Sequence, residues 1–357
     1  MAADGGWDSA AFRDGIQVAL DDFVDAQATG LAILGDDAAR LVREAHASVS
    51  GGKRFRAAFC YWGHRAVAPE PADEHALVRA CASLELLHAS ALVHDDFMDA
   101  SDTRRGRPAT HRQFEREHRA AGWRGDPEQY GAAAAILLGD LLLAWSDELL
   151  RRCGLPVDRV AAAMDVFDLC RSEVIAGQFL DVSVQARGRA DVDTAMTVLR
   201  FKSAKYSIER PLHVGGALAG ATTDQMESLT RFGLPLGEAF QLRDDLLGVF
   251  GDPATTGKPA GDDLVEGKRT VLVALALEKA TAEDAARLDA ALGTPLDTAA
   301  VAELRHLIDD SGAHARVEAM IEELVTEALA ALDRADLEPG AREVLRGLAA
   351  AATQRVV

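Results

Sequence analysis

The stretch that decides the fold is "ADEHALVRACASLELLHASALVHDDFMD", residues 72–99. Its apolar residues recur with helical spacing over most of the helix circumference, and no alternation of period two is present. A helix of that kind is covered by other helices inside a bundle. It closes on three carboxylates within five residues, Asp95, Asp96 and Asp99, and "ASDTRRGRP" brings Arg104 and Arg105 almost at once. On a helix Asp95 and Asp99 stack one turn apart, with Asp96 about 100° round. Adjacent aspartates repel. Taken alone the run fits a solvated helix end; a hard-cation site is the alternative, because Mg²⁺ takes carboxylate oxygens and completes its shell with water and phosphate.

Working outward, helical periodicity continues nearly everywhere. It predicts helices over 12–31, 36–49, 55–67, 72–99, 132–153, 158–185, 192–220, 223–251 and 270–280, with two or three Ala/Glu-rich helices after Gly293. No strand, fixed-period repeat or low-complexity linker stands out. The breaks carry turn chemistry: "SGGKRF" (50–55), "AAGWRGDPEQYG" (120–131) with a buried or docking Trp123, and "GDPATTGKPAGDDLVEGKRT" (251–270), long enough to act as a lid. The expected fold is all-α, a large helical bundle forming one domain over residues 1–357.

Of the 357 residues 48% are hydrophobic and 27% charged, which is a globular composition. The net charge of −19, from 38 basic and 57 acidic residues, argues against nucleic-acid or anionic-membrane partners. Cys60, Cys81, Cys153 and Cys170 include no CxxC pair and read as reduced thiols of a cytosolic chain. "MAADGGWDSA" has neither a basic nor an apolar signal region. "AAAAILLGDLLLAW" (132–145) is broken by Asp140 and is short of the ~18 apolar residues of a membrane span. The expected location is cytoplasmic.

A second acidic pair changes the weight of the first. "FQLRDDLLGVFGD" puts Asp244 and Asp245 at the end of another apolar helix, and Asp252, Asp262 and Asp263 follow. Unpaired carboxylates in a shielded cleft are costly, so two such pairs facing each other call for cations between them. Basic clusters stand against the acidic background. "GGKRFR" sets Lys53, Arg54 and Arg56 at a turn where Gly51 and Gly52 let backbone N–H groups approach an anion. It is no Walker A loop. Arg104, Arg105 and Arg107, then Lys202 and Lys205, then Lys258 and Lys268 complete the set. Cations and carboxylates together suggest a diphosphate, held by basic groups on one side and bridged by metal on the other. Polar residues within apolar helices add His88, one heptad before Asp95, and Gln178, Asp181, Ser203, Tyr206 and Gln241. Ordinary core hydrogen bonds account for Gln178 and Asp140.

These residues resemble the trans-prenyltransferases, the isoprenyl diphosphate synthases, over nearly the whole chain. "GGKRFR" resembles that family's GGKRxRP, with Ala57 in place of proline. "LVHDDFMDASDTRRGRPATH" looks like the first aspartate-rich motif, "FKSAKY" is similar to KTxxY/L with Ser203 for threonine, and "FQLRDDLLGVFGD…GKPAGDD…GKRT" looks like the second aspartate-rich region. One departure matters: Gly248 stands where the second motif usually ends in aspartate, so that either Asp252 substitutes in part or the position is dispensable.

The resemblance implies an isoprenoid-synthase bundle with a deep central cavity, two aspartate motifs facing each other at its mouth, and a homodimer. It implies Mg²⁺, three ions bound with substrate and replaceable by Mn²⁺, on Asp95, Asp96, Asp99, Asp244 and Asp245. Isopentenyl diphosphate is expected at Gly52, Lys53, Arg56, His88 and Arg105. The allylic diphosphates (dimethylallyl, geranyl, farnesyl) are expected at Arg104, Lys202, Lys258 and Lys268. Dipoles of Ser203, Tyr206, Gln241 and the Lys202 backbone would stabilise the allylic cation. For chain length, Ser90 and Ala91 lie one turn, ~5 Å, below Asp95, and Leu87 a further turn down. Small residues there, and no two-residue insertion within the motif, favour geranylgeranyl diphosphate (C20) over farnesyl diphosphate (C15). Longer products stay open, because other helices can form the floor. A class I terpene cyclase, a non-catalytic synthase subunit and an acidic helical scaffold fit less of the sequence: the cyclase pattern fails at Gly248 and Asp252, the subunit would lose an aspartate motif, and the scaffold leaves the basic clusters unexplained.

Overall fold

The computed structural model describes residues 9–189, 191–251 and 261–354. The chain divides into two compact units, Met1–Tyr61 with Glu70–Met164, and Trp62–Pro69 with Asp165–Val357. Apart from one two-residue ladder, the regular structure among the described residues is helical, as the periodicity predicts.

The first unit holds α1 (Ala10–Leu31), α2 (Asp36–Val49), the start of α3 (Phe55–Val67), α4 (Glu74–Met98), α5 (Thr110–Ala121) and α6 (Pro127–Arg151). Asp73 caps α4 by accepting from the Ala76 N–H at 3.0 Å. Helix α4 is long and apolar enough to cross a membrane by composition, but α1, α2, α5 and α6 pack around it, and Leu77, Leu84 and Leu86 are fully buried. It is the core helix of its unit. Glycines on α6 set the close approach: a Cβ on Gly139 would meet His94 Nε2 at 2.0 Å, and one on Gly131 the His111 carbonyl at 2.2 Å. The sequence predicts no helix over 110–121, and α5 shows why. Its buried face is Thr110, His111, Phe114, Glu115 and His118, so a polar stripe hides the helical period. The short strands β1 (Thr103–Arg104) and β2 (Arg107–Pro108) were also not expected. They flank a two-residue turn with positive φ at both Arg105 (53°) and Gly106 (74°), the type I′ geometry that matches strand twist. Trp123 docks rather than buries, its ring under the Arg40 guanidinium at 4.9 Å.

In the second unit α7 (Val157–Arg187) runs on from Asp165, followed by α8 (Val192–Val198), a π-helix (Leu199–Glu209), α9 (Arg210–Ala219) and α10 (Thr223–Phe250). Then come α11 (Asp262–Glu266), α12 (Val271–Lys279), α13 (Ala282–Ala291), α14 (Thr298–Asp310), α15 (Ala313–Arg334) and α16 (Pro339–Thr353). Thr222 and Gln225 form a capping box on α10. Leu242, Leu246 and Val249 of α10 join Leu272, Ile308 and Val317 in one core. Two expectations need correction. Residues 192–220 are not one α-helix, because eleven residues in the middle are π-helical. Residues 262–266 of the expected lid are helix α11, whereas Asp252, Lys258 and the rest of 252–260 lie outside the described residues. All four cysteines are buried free thiols.

Candidate active site

In the first unit, two of the residues expected to hold isopentenyl diphosphate, Arg56 and Arg105, lie near a third, His88. Burial lowers the His88 pKa well below the ordinary histidine value, and the nearby Arg56, Arg105, Arg104 and Arg54 lower it further. The imidazole is therefore neutral at pH 7 and can donate one hydrogen bond. Gly52 faces Arg105: a Cβ there would lie 3.4 Å from Arg105 Nη2, and Arg105 Nη1 donates to the Ser50 carbonyl at 3.2 Å. Lys53 is exposed and lies 5.9 Å from the Phe55 ring centroid. Every described non-glycine residue with positive φ, Arg54, Ala100 and Arg105, falls in these two motif loops. Strain of that kind persists where the surroundings enforce it and clusters at functional sites.

Arg54, which the sequence groups with Lys53 and Arg56 at the anion-binding turn, holds that turn together instead. It is buried, with Nη1 3.3 Å from Glu85 Oε2, and Nη2 donates to Gln17 Oε1 and the Val49 carbonyl at 2.5 and 2.6 Å. Glu85 Oε1 accepts from the Ala57 N–H at 3.2 Å, which satisfies a free donor of the α3 N-terminus. The sequence reading passed over Glu85. The available signal was a single acid in the apolar run "CASLELLHAS", since a buried charge demands a partner.

At the end of α4, Asp95 and Asp99 remain one turn apart, and the Asp99 N–H donates to the Asp95 carbonyl at 2.8 Å. Asp96 is set apart. It is buried and accepts from Arg104 Nε at 2.8 and 3.1 Å and from Arg104 Nη2, a two-pronged pairing that fixes the guanidinium. Of the chain-length residues, Ser90 is turned to α6, where its hydroxyl donates to the Gly139 carbonyl at 2.8 Å. Leu87 is buried, and Ala91 is half-buried.

The second unit gathers the remaining residues. Lys202, Ser203 and Tyr206 all lie on the π-helix, a rare form frequently found at functional sites. Two glycines hold it: a Cβ on Gly177 of α7 would lie 2.4 Å from the Lys202 backbone N, and one on Gly237 of α10 would lie 2.5 Å from the Ala204 carbonyl O. Neither glycine was singled out from sequence. Lys202 Nζ bonds Asp181 Oδ2 at 2.6 Å, so Asp181 is a lysine anchor. On α10 Asp244 is exposed while Asp245 is buried and accepts from Gln241 Nε2 at 2.8 Å. Burial raises the Asp245 pKa well above the usual carboxylate value, and nearby Asp263 and Asp244 add to it. Lys268 Nζ lies 2.5 Å from Glu266 and 3.3 Å from Asp263. Arg104, Lys202 and Lys268 thus each sit on a carboxylate. Among the described residues no three acidic, histidine or cysteine side chains cluster as a metal cage. The candidate ligands Asp95, Asp99 and Asp244 offer carboxylate oxygen, the donor type that Mg²⁺ takes.

The second unit also carries an acid-sensitive pair. His213 Nδ1 accepts from Arg210 Nη1 at 3.0 Å, and Nε2 bonds Thr230 Oγ1 at 2.9 Å. Burial, then Arg210 and Lys205, lowers its pKa to about 4; burial, then Arg65, lowers His64 to about 4. Between pH 6.5 and 4 the unfolded chain therefore binds more protons than the folded one, and stability falls as pH falls. The expected loss is about 2 kcal/mol per histidine at pH 5. Urea midpoints measured from pH 7.5 to 4.5 check this, and a flat profile from 7 to 5 would contradict it.

Residues 39–310 match the polyprenyl synthetase family model. The chain superimposes on a geranylgeranyl pyrophosphate synthase from Corynebacterium glutamicum, solved with isoprenyl diphosphate and magnesium, with a TM-score of 0.94 and 41% identity over 97% of this chain and 99% of that one. It is 32% identical over 304 residues to a short chain isoprenyl diphosphate synthase of Methanothermobacter thermautotrophicus (85% of this chain, 86% of the relative). It is 31% identical over 284 residues to a nonaprenyl diphosphate synthase of Mycobacterium tuberculosis (79% of this chain, 77% of the relative). Aspartate motifs, basic turn and π-helical lysine segment thus occur on a backbone shared with prenyl-elongating enzymes, and the chain belongs to the polyprenyl synthetase family, as a trans-isoprenyl diphosphate synthase.

Proposed function

We propose that the chain condenses isopentenyl diphosphate with allylic diphosphates and releases mainly geranylgeranyl diphosphate. The observation that carries this reading is on one helix. His88, with Arg56 and Arg105 beside it, and Asp95 lie seven residues apart on α4, roughly 10 Å along its axis. A metal-free anion site and a metal-bridged one, side by side, are what two diphosphates require.

In this reading the Gly52 backbone, Lys53, Arg56, neutral His88 and Arg105 hold isopentenyl diphosphate. Asp95, Asp99 and Asp244 ligate Mg²⁺, three ions with substrate present, and Mn²⁺ substitutes. Asp96 and Asp245, already bonded to Arg104 and Gln241, keep those side chains in place. Bound Mg²⁺ would supply positive charge to the departing diphosphate. Arg104, Lys202, Lys268 and Lys258 hold the allylic diphosphate, which must draw the first three from their present carboxylates. The Ser203, Tyr206 and Gln241 side chains and the Lys202 carbonyl present dipoles to the allylic cation, preorganised stabilisation of developing charge. The reading includes a homodimer, a single catalytic domain and a cytoplasmic location. Ile175, Phe179 and Val182 form an apolar stripe on α7, 37–74% exposed, of the kind a partner subunit covers.

The test is incubation with Mg²⁺, isopentenyl diphosphate and each allylic diphosphate, with product identification. Elongated diphosphates are expected; hydrocarbons formed without isopentenyl diphosphate would make it a cyclase. The nonaprenyl relative makes a longer product the second reading. Because Ser90 is committed to α6, Ala91 is the better wall. Ala91→Phe is expected to move the main product from C20 to C15 or shorter, whereas Ser90→Phe is expected to destabilise the α4–α6 contact. An unchanged product spectrum from folded Ala91→Phe would remove this wall from the reading.

A further inference from the structure

Helix α7 meets the π-helical segment along one stripe, Glu173, Gly177 and Asp181, residues four apart and so on one face. Gly177 lies against the Lys202 backbone, and Asp181 accepts from Lys202 Nζ. Glu173 takes the other end of the segment. Its Oε1 accepts from Lys205 Nζ at 2.6 Å and from Arg210 Nη2 at 2.9 Å, and its Oε2 accepts from Arg210 Nε at 2.7 Å. The Glu173, Lys205 and Arg210 side chains are only 12%, 14% and 11% exposed, so this is no solvated surface pair. Burial pushes the Glu173 pKa up, but the bonds from Arg210 and Lys205 outweigh it and the pKa ends below the ordinary value. The carboxylate is therefore charged at pH 7. Lys205 and Arg210 are also the two ends of one backbone bond. The Arg210 N–H donates to the Lys205 carbonyl, the i→i+5 bond that defines a π-helix. In an α-helix, residues five apart point about 140° from each other, and the Arg210 N–H would turn to the Tyr206 carbonyl. The π turn stacks the two residues instead, so that one carboxylate holds both. Gly177 and Gly237 leave room for the segment but attract nothing. Glu173 supplies an attraction that the π-register satisfies and the α-register would split.

We propose that Glu173 is a positioning residue for elongation: by holding Lys205 and Arg210 on one carboxylate it fixes the π-register of Leu199–Glu209, and through that register the directions in which Lys202, Ser203 and Tyr206 point. This rests on the assignment of those three residues to the allylic diphosphate and its cation.

Glu173→Gln, which keeps the shape and removes the charge, tests this. The measurements are hydrogen exchange of the 199–210 amides without substrate, the urea midpoint, and kcat with both KM values at a temperature where the variant is fully folded. Exchange over 199–210 is expected to speed up about tenfold or more, because the segment opens locally more often. The kcat is expected to fall about tenfold or more, since a misplacement of about 1 Å arising far from the chemistry can cost about a hundredfold. The allylic KM is expected to rise, while the isopentenyl KM stays within about twofold of wild type, its proposed residues all lying in the first unit. Lys205→Met is expected to shift each quantity in the same direction, and the double variant Glu173→Gln/Lys205→Met to be no worse than Glu173→Gln alone, because both changes sever one tie. Unchanged exchange over 199–210, a lowered urea midpoint with the kcat of the folded enzyme unchanged, or additive effects in the double variant would overturn the proposal. The exchange measurement needs no turnover: if wild type elongates no allylic diphosphate while Glu173→Gln still loosens 199–210, the elongation reading falls and the tie that sets the register stands.

Discussion

Gly237→Ala is expected to unfold or re-register the π-helical segment and to abolish elongation, and Gly177→Ala to do nearly as much. The collisions are with backbone: 2.5 Å to the Ala204 carbonyl O in one case, and 2.4 Å to the Lys202 N in the other. A side chain can rotate away from an added methyl group; a main chain wedged between two helices cannot. Adding methylenes to a packed core already costs typically 1–3 kcal/mol, so the expected loss is about 3 kcal/mol or more for each glycine. The internal control is Gly340→Ala on α16, where nothing lies within 4 Å of the new Cβ; alanine there should gain about 0.5–1 kcal/mol from helix propensity. Urea midpoints, the far-ultraviolet circular dichroism of the folded state and turnover with Mg²⁺ are the measurements. If Gly237→Ala matches wild type in both midpoint and turnover, the clamp does not govern the segment. A variant that folds normally but loses kcat with KM intact would assign the π-register to chemistry rather than to binding.

The same segment marks the limit of what was legible in the sequence. Apolar periodicity carried the helices well: 36–49 and 55–67 coincide with α2 and α3, and 223–251 with α10 to within a residue. Burial drives both pattern and fold, so the pattern reports the fold. It could not report a π-helix, because Leu199–Glu209 keeps its apolar residues close to α-helical spacing while its hydrogen-bond register changes. That register depends on two glycines far apart in the chain, Gly177 and Gly237, each unremarkable in its own helix. Helix α5 was lost for the opposite reason, a buried face of His, Thr and Glu. Of the candidate site, the sequence displays conspicuous charge, as at Asp95, Asp99 and Arg56. It does not display which charges the fold has already neutralised: Arg54 by Glu85, Arg104 by Asp96 and Lys202 by Asp181. A sequence shows how many charges exist; only the fold shows which are already paired.

The Arg54–Glu85 pair is where that distinction has the largest energetic consequence. The two side chains are 4% and 6% exposed, so removing one strands the other without solvent. Glu85→Ala is expected to cost about 3–5 kcal/mol, the range for breaking a buried pair from one side. It also removes the acceptor for the Ala57 N–H, and with it the cap that holds the entry of α3. Arg54→Met with Glu85→Leu should be far less damaging, since apolar replacement of both partners leaves no uncompensated charge. Stability and site then separate. Arg54 sits at φ 57° between Lys53 and Arg56, tied to Gln17 and the Val49 carbonyl as well as to Glu85. Methionine offers none of those bonds, so the double variant should regain most of its stability while the turn loses the enforcement of that strained backbone. The expected signature is a KM for isopentenyl diphosphate raised about tenfold or more, with the allylic KM little changed, because the lost interactions orient only the cations that the proposed function gives to isopentenyl diphosphate. If the double variant is as unstable as Glu85→Ala, stranded charge is not the cause of the loss. If it recovers both stability and isopentenyl affinity, the pair serves packing alone, and the positive φ at Arg54 is maintained by the glycines before it.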